Sequence, residues 1–170
     1  MEYLQIFDEQ KNMVKELDEK ITRYNKKAIK EGNYFMIILL FIENDKHEFL
    51  IQKTSKERDS VYATTGGHVS YGDDNITTVI KEAKEELGID LNKDEIEFIY
   101  SEKHTSAYCD IFYVHKNIPI ENFKVQKEEV DAVYWMNKEQ IDNLIKTGKF
   151  RKGNIDQYNK VLKYLEEKSI

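Results

Sequence analysis

Hydrophobic and polar positions in this chain fall into a few sharply bounded runs. The clearest is YFMIILLFIE, Tyr34–Glu43. An apolar stretch rich in β-branched and aromatic residues, with no polar alternation, predicts a central strand buried on both faces. NDKH then turns the chain into a second strand, Glu48–Lys53, and shorter strand signals follow at Val61–Thr65, Ile96–Tyr100, Ala107–Val114 and Ala132–Trp135. Helical spacing begins at Ile76, Val79, Ile80, Ala83 and Leu87, one buried face of a helix over Asn75–Leu87 that Gly88 closes. Two further helices are expected at Lys138–Lys146 and Ile155–Glu167. Near the start, Leu4–Phe7 and Met13–Val14 flank the polar DEQKN as a hairpin, and the charged Lys15–Lys30 reads as partly helical. Strands interspersed with helices imply an α/β or α+β sandwich.

Composition narrows the picture in three ways. No linker, repeat or low-complexity tract divides the 170 residues, so residues 1–170 are expected to form one domain. The net charge of −6 argues against a generic nucleic-acid binder. It leaves room for a small phosphorylated ligand, because a bound divalent cation supplies the missing positive charge. Cys109 is the single cysteine, which excludes an intrachain disulfide and makes a reducing compartment the default. The first residues lack a basic segment followed by an apolar run, and the longest apolar stretch, Phe35–Ile42, is short for a bilayer span. The expectation is a cytoplasmic protein with no membrane partner.

Candidate chemistry concentrates in GHVSYGDDNITTVIKEAKEELGI, Gly67–Ile89. Glu82, Glu85 and Glu86 fall at i, i+3 and i+4, which on a regular helix gathers three carboxylates on a face roughly 120° from the apolar one. Like charges so placed repel. A hard divalent cation removes the penalty, since Mg²⁺ prefers oxygen ligands and bridges carboxylates to substrate phosphates. On its own, KEAKEEL would be read as a solvated helix face. Its context argues otherwise, because a Gly66-Gly67 turn precedes it, an apolar strand feeds that turn, and Gly88 ends the helix.

This stretch resembles the signature of the Nudix family: Gly, five residues, Glu, seven residues, then Arg-Glu-aliphatic-any-Glu-Glu-any-Gly-aliphatic. Gly67, Glu82, Ala83, Glu85, Glu86, Gly88 and Ile89 match without a gap, while Asp73 replaces the first Glu and Lys81 the Arg. The resemblance implies a Nudix-type α/β/α sandwich with a mixed sheet, and a Mg²⁺- or Mn²⁺-dependent hydrolase that cleaves a diphosphate bond in a small molecule such as a nucleoside diphosphate derivative. Glu82, Glu85, Glu86 and the Gly66 carbonyl would hold the metal. Glu82 would also serve as, or orient, the base for the attacking water. Lys81 would orient the carboxylates, without the two-pronged grip of Arg. A later glutamate of the family, before a Trp-ending strand, is matched in KEEVDAVYW by Glu128 or Glu129, with Glu129 the closer fit. Lys53, Lys56 and Arg58 precede the box and are candidates for substrate phosphates, Lys53 and Arg58 foremost.

The layout before the box, with IFDEQKNMV, YFMIILLFI and FLIQKTSKERDSVYATTGGHV, looks like the branch that includes isopentenyl-diphosphate isomerase. That enzyme places a cysteine and a histidine around one glycine there. Here His68 is kept and Gly66 stands at the cysteine position, while Thr54 stands where such isomerases carry a diphosphate-binding Arg. Proton transfer at an alkene carbon needs a positioned acid and base, which glycine does not supply. Cys109, on a later strand, reads as a buried small hydrophobe, and Trp135 as core. His68 is a candidate for a second metal or a polar cleft lining. Tyr71, Tyr108, Phe112 and Tyr113 are candidates for a substrate pocket or for strand packing. The alternatives carried forward are an isomerase-like enzyme, a non-catalytic Nudix-fold binding module, and an oligomeric scaffold. A homodimer stays open.

Overall fold

The computed structural model describes residues 2–169. Met1 and Ile170, the ends of the span expected to form one domain, lie outside the described residues. The long apolar run becomes strand β1, Phe35–Glu43. It is followed by β2 (Phe49–Thr54), β3 (Tyr62–Ala63) and β4 (Thr65–His68). Helix α1 (Asn75–Glu82) continues as a π-helical turn, Ala83–Leu87. Strands β5 (Glu97–Lys103), β6 (Ala107–His115) and β7 (Val130–Met136) precede helices α2 (Lys138–Lys146) and α3 (Ile155–Lys168). This is the expected α/β sandwich with a mixed sheet and three helices.

The sheet order is β3-β2-β1-β6-β5, with β4 paired to β1 and β7 to β2. β1 and β6 run parallel over the whole length of β1, whereas the other pairs are antiparallel. β1 meets β2 only at Glu43↔Phe49. Before that point the two strands diverge, and β4 occupies the opened edge, pairing Ile37–Leu40 with His68–Thr65. The split carries the glycine pair to the middle of the sheet. Gly66 and Gly67 are therefore strand residues, not a turn, and neither has positive φ.

Side chains of β1 alternate between two cores, which is why the run reads as continuously apolar. Met36, Ile38, Leu40 and Ile42 pack with Val79, Ala83 and Leu87 beneath α1. Leu39 and Phe41 pack on the other face with Ile141 of α2 and Tyr158 and Val161 of α3. At one end, Leu4, Ile6 and Ile21 cover Phe35. The expected N-terminal hairpin is a single bridge, Phe7↔Met13, and Phe7 also bridges Tyr34. Lys15–Lys30 is almost free of helix, with one 3₁₀ turn at Lys26–Ala28. Polar side chains explain the difference: Asn25 Oδ1 accepts from both the backbone N–H and the hydroxyl of Thr22, offering the backbone a local alternative to a helix. Among the described residues, no helix is long and apolar enough to cross a membrane.

Candidate active site

Helix α1 starts where the Asp74 carboxylate accepts from the Thr77 N–H at 2.8 Å, a side-chain N-cap. The π turn that continues it ends at Gly88, whose φ of +69° a side chain would strain. Between these caps, the switch from α to π geometry decides where the carboxylates point. A wider turn advances each residue by less than the α-helical 100°. Glu86 thereby falls back over Glu82, and Glu85 swings outward. Glu86 is 2% exposed, Glu82 half-buried and Glu85 exposed. The three carboxylates do not share one face, contrary to regular helical spacing. No group of three His, Cys, Asp or Glu side chains is gathered as a metal cage among the described residues.

Glu82 and Glu86 instead form a pair beneath β4. A Cβ on Gly67 would stand 2.5 Å from Glu82 Oε1, so the glycine makes room for the carboxylate. A Cβ on Gly66 would stand 2.5 Å from the Ile38 carbonyl oxygen, a backbone approach that excludes any side chain there without a shift. Burial holds the Glu82 carboxyl up to about 8, reinforced by the charges of Glu86, Glu85 and Glu129. Burial likewise raises Glu86 to about 7, with the Glu129 charge adding to it and Arg58 and the Gly66 backbone N–H pulling the other way. Glu86 Oε1 is buried without a hydrogen-bond partner, and Oε2 lies 3.4 Å from Arg58 Nη1. Two carboxylates, one buried with a partnerless oxygen and one half-buried, both costly to ionise, suit a hard divalent cation.

The other expected residues fall into three groups. Arg58 and Glu129 join the acidic pair, with Arg58 Nη1 3.6 Å from Glu129 Oε2. Lys81 does not. Its Nζ lies 3.3 Å from Asp73 Oδ2, so the two positions that depart from the signature pair with each other at the surface. Lys53 also stands apart, its Nζ over the Tyr62 ring at 5.2 Å, and Lys56 is exposed. Thr54 is buried and donates to Asp59 at 2.7 Å.

A cavity of about 340 Å³ opens beside the glycine strand. Ile37, Leu39 and Ala107 give it an apolar floor, with His68, His104, Gln157 and the two arginines Arg58 and Arg151 at its edges. Gly66 and Gly67 line it as well, so the strand is shared by the cavity and the acidic pair. Of the candidate aromatics, only Tyr108 lines it. Phe112 and Tyr113 belong to the two cores, and Tyr71 is exposed. Trp135 packs against the core, its Nε1–H donating to the Ile118 carbonyl. Cys109 lines the cavity but is buried, and burial pushes its thiol up to about 12. His68 stacks on Phe35 and lies 3.0 Å from Lys26 Nζ; burial, then the Lys26 and Arg23 charges, lowers it to about 4. Arg151 was not legible as a site residue. It precedes α3, is held by Asp59 at 2.6 Å, and reaches the cavity only through the tertiary fold.

A split mixed sheet thus lies between helices, with a glutamate-bearing helix docked under a glycine strand. The NUDIX domain model matches residues 34–158, and the chain belongs to the Nudix family. It is a Nudix hydrolase, an enzyme of the class that acts on diphosphate bonds, and members of the family typically use divalent metals. The chain is 27% identical over 145 residues to the uncharacterized Nudix hydrolase lin0387 of Listeria innocua, covering 82% of this chain and 84% of that protein. It is 29% identical over 134 residues to Nudix hydrolase 3 of Arabidopsis thaliana, covering 68% of this chain but 17% of the plant protein. Among solved structures, DR0079 from Deinococcus radiodurans superposes with a TM-score of 0.71 at 17% identity, over 92% of this chain and 96% of that one.

Proposed function

We propose that this Nudix hydrolase cleaves the diphosphate bond of a small molecule, a nucleoside diphosphate derivative or a compound of similar size, with Mg²⁺ or Mn²⁺. The observation that carries the reading is Glu86, a buried carboxylate with a partnerless oxygen beside the equally ill-compensated Glu82. Glu82, Glu86 and the Gly66 carbonyl are the residues that would hold the cation, and the exposed Glu85 would join them only from the outer side of the turn. When bound, it polarises phosphoryl oxygens and activates water. Glu82, next to the place the cation would occupy, would serve as, or orient, the base for the attacking water. Arg58 lies between the acids and the cavity and suits a phosphate. Glu129 bears on the site through Arg58, and Lys81 acts through Asp73 on the start of the helix. Lys53 has the weakest claim, since it does not line the cavity. The cavity floor of Ile37, Leu39 and Ala107, edged by His104 and Gln157, would take the group attached to the diphosphate.

The chain layout is similar to that of the branch that includes isopentenyl-diphosphate isomerase, and the close-packed Gly66 at the cysteine position supports hydrolysis over isomerisation. The N-terminal segment supports reading the whole chain as one domain, because Lys11 pairs with Asp110 and Leu4 and Ile6 bury against Phe35. The test is a panel of nucleoside diphosphate derivatives, nucleoside triphosphates, dinucleoside polyphosphates and prenyl diphosphates with Mg²⁺, read for phosphate-containing products. Isopentenyl diphosphate is followed by proton NMR in parallel. Hydrolysis of a diphosphate without formation of dimethylallyl diphosphate is expected. Dimethylallyl diphosphate from the unmodified protein would overturn the reading.

A further inference from the structure

Arg58 reaches the acidic pair from the loop between β2 and β3, and three hydrogen-bonded segments fix its place. Ser55 N donates to the Glu129 carbonyl at 2.9 Å, and Ser55 Oγ donates to the Glu128 carbonyl at 2.7 Å. The Glu129 loop is tied in turn to the helix end: Gln126 N donates to the Glu86 carbonyl at 3.3 Å, and Lys124 N to that of Leu87 at 2.9 Å. The guanidinium so positioned fits its partners poorly. Its separations of 3.4 and 3.6 Å from Glu86 and Glu129 exceed the roughly 2.7–2.9 Å of a good charge-assisted bond. It also leaves Glu86 Oε1 without a partner, while Arg58 itself, about one-third exposed, lines the cavity.

We propose that Arg58 is the resident counter-ion of the metal-free site, and that a divalent cation displaces it from Glu86 and Glu129 and frees its guanidinium to grip the substrate's phosphate. The proposal rests on the metal-dependent reading above and adds an order of events to it. A buried carboxylate stripped of positive charge is costly, and Arg58 offsets that cost only from a distance. A small hard cation carries twice the charge and can take up the partnerless oxygen. The released fork of N–H donors matches the geometry of a phosphate, and the cavity already receives it. Metal and phosphate should then favour each other's binding reciprocally.

The test is calorimetric titration of Mn²⁺ alone into metal-stripped wild type and Arg58→Met, then of inorganic phosphate into each protein with and without saturating Mn²⁺. Arg58→Met should bind Mn²⁺ about tenfold more tightly, and its Mn²⁺-loaded form should bind phosphate about tenfold more weakly. Mn²⁺ affinity in the variant equal to or below that of wild type overturns the counter-ion role alone. Failure of the wild type to bind Mn²⁺ at all overturns the metal reading with it. A measurement on the wild type covers a variant that does not fold. The ¹⁵Nε–H resonance of Arg58 should shift and exchange faster with solvent on adding Mg²⁺, and recover protection on adding phosphate. An Arg58 signal indifferent to Mg²⁺ overturns the proposal.

Discussion

Asp110 and Glu86 are each 2% exposed, yet their surroundings treat them in opposite ways. Asp110, on β6, receives Lys11 Nζ at 2.8 Å, Asn75 Nδ2 at 2.6 Å and Ser101 Oγ at 2.6 Å. Its donors come from the N-terminal hairpin, the first residue of α1 and β5, so this buried charge ties distant parts of the chain together. Glu86 has one oxygen unpartnered and the other served by a guanidinium 3.4 Å away. A carboxylate kept for structure is satisfied by the protein itself. One left short in a burial that raises its proton affinity is a site awaiting something else.

The comparison is broken or sharpened by substitution. Glu86→Gln removes the proposed metal contact and a buried charge, so turnover should fall about a hundredfold or more while metal-free thermal stability is held or raised. Steady-state kinetics and melting curves on one preparation check both halves. A large loss of stability would make Glu86 a second Asp110. Asp110→Asn should behave in reverse. It leaves Lys11 and the surrounding donors mismatched and should cost about 2–3 kcal/mol in denaturant unfolding, discounted because Lys11 is one-third exposed. The turnover of the folded protein should stay within a few-fold of wild type.

The two carboxylates of the site also predict a pH dependence. Glu82 and Glu86 titrate near 8 and 7 when folded, against an ordinary glutamate value of 4.5. Between those limits the folded chain binds more protons than the unfolded one, so rising pH favours unfolding. Metal-free protein should lose about 5 °C or more in melting temperature between pH 5 and pH 8, and Mg²⁺ should recover much of it at the alkaline end. A flat metal-free profile would show that the pair is adequately compensated. The smallest effect is expected at Asp73 and Lys81. Their pair is partly exposed, and a double-mutant cycle should return a coupling of about 0.5 kcal/mol.

What the sequence made legible follows the range of the forces involved. β1 and the ends of the helical segment depend on local pattern: Asp74 caps the start of α1, and Gly88 closes the π turn that continues it. The signature glutamates could be named for the same reason. Their arrangement could not, because the π turn that separates Glu85 from Glu82 and Glu86 leaves no mark in spacing alone. Gly66 and Gly67 invited a turn, yet they serve close approach inside a strand that exists only once β1 and β2 diverge. Arg151 and Gln157 enter the cavity from far along the chain, with no local motif to announce them. Lys15–Lys30 reads as partly helical in sequence, and the Thr22–Asn25 hydrogen bonds offer its backbone a local alternative.

The central claim is that the acidic pair Glu82 and Glu86 works by holding a divalent cation. Its most direct test is hydrolysis of the best substrate from the panel as Mg²⁺ is added back to chelator-stripped protein. The account predicts no product in chelator, followed by a saturable return of activity with Mg²⁺ in the wild type that Glu86→Gln fails to reproduce. Full hydrolysis in chelator, or a Glu86→Gln enzyme that recovers the wild-type rate at the same Mg²⁺, would contradict it.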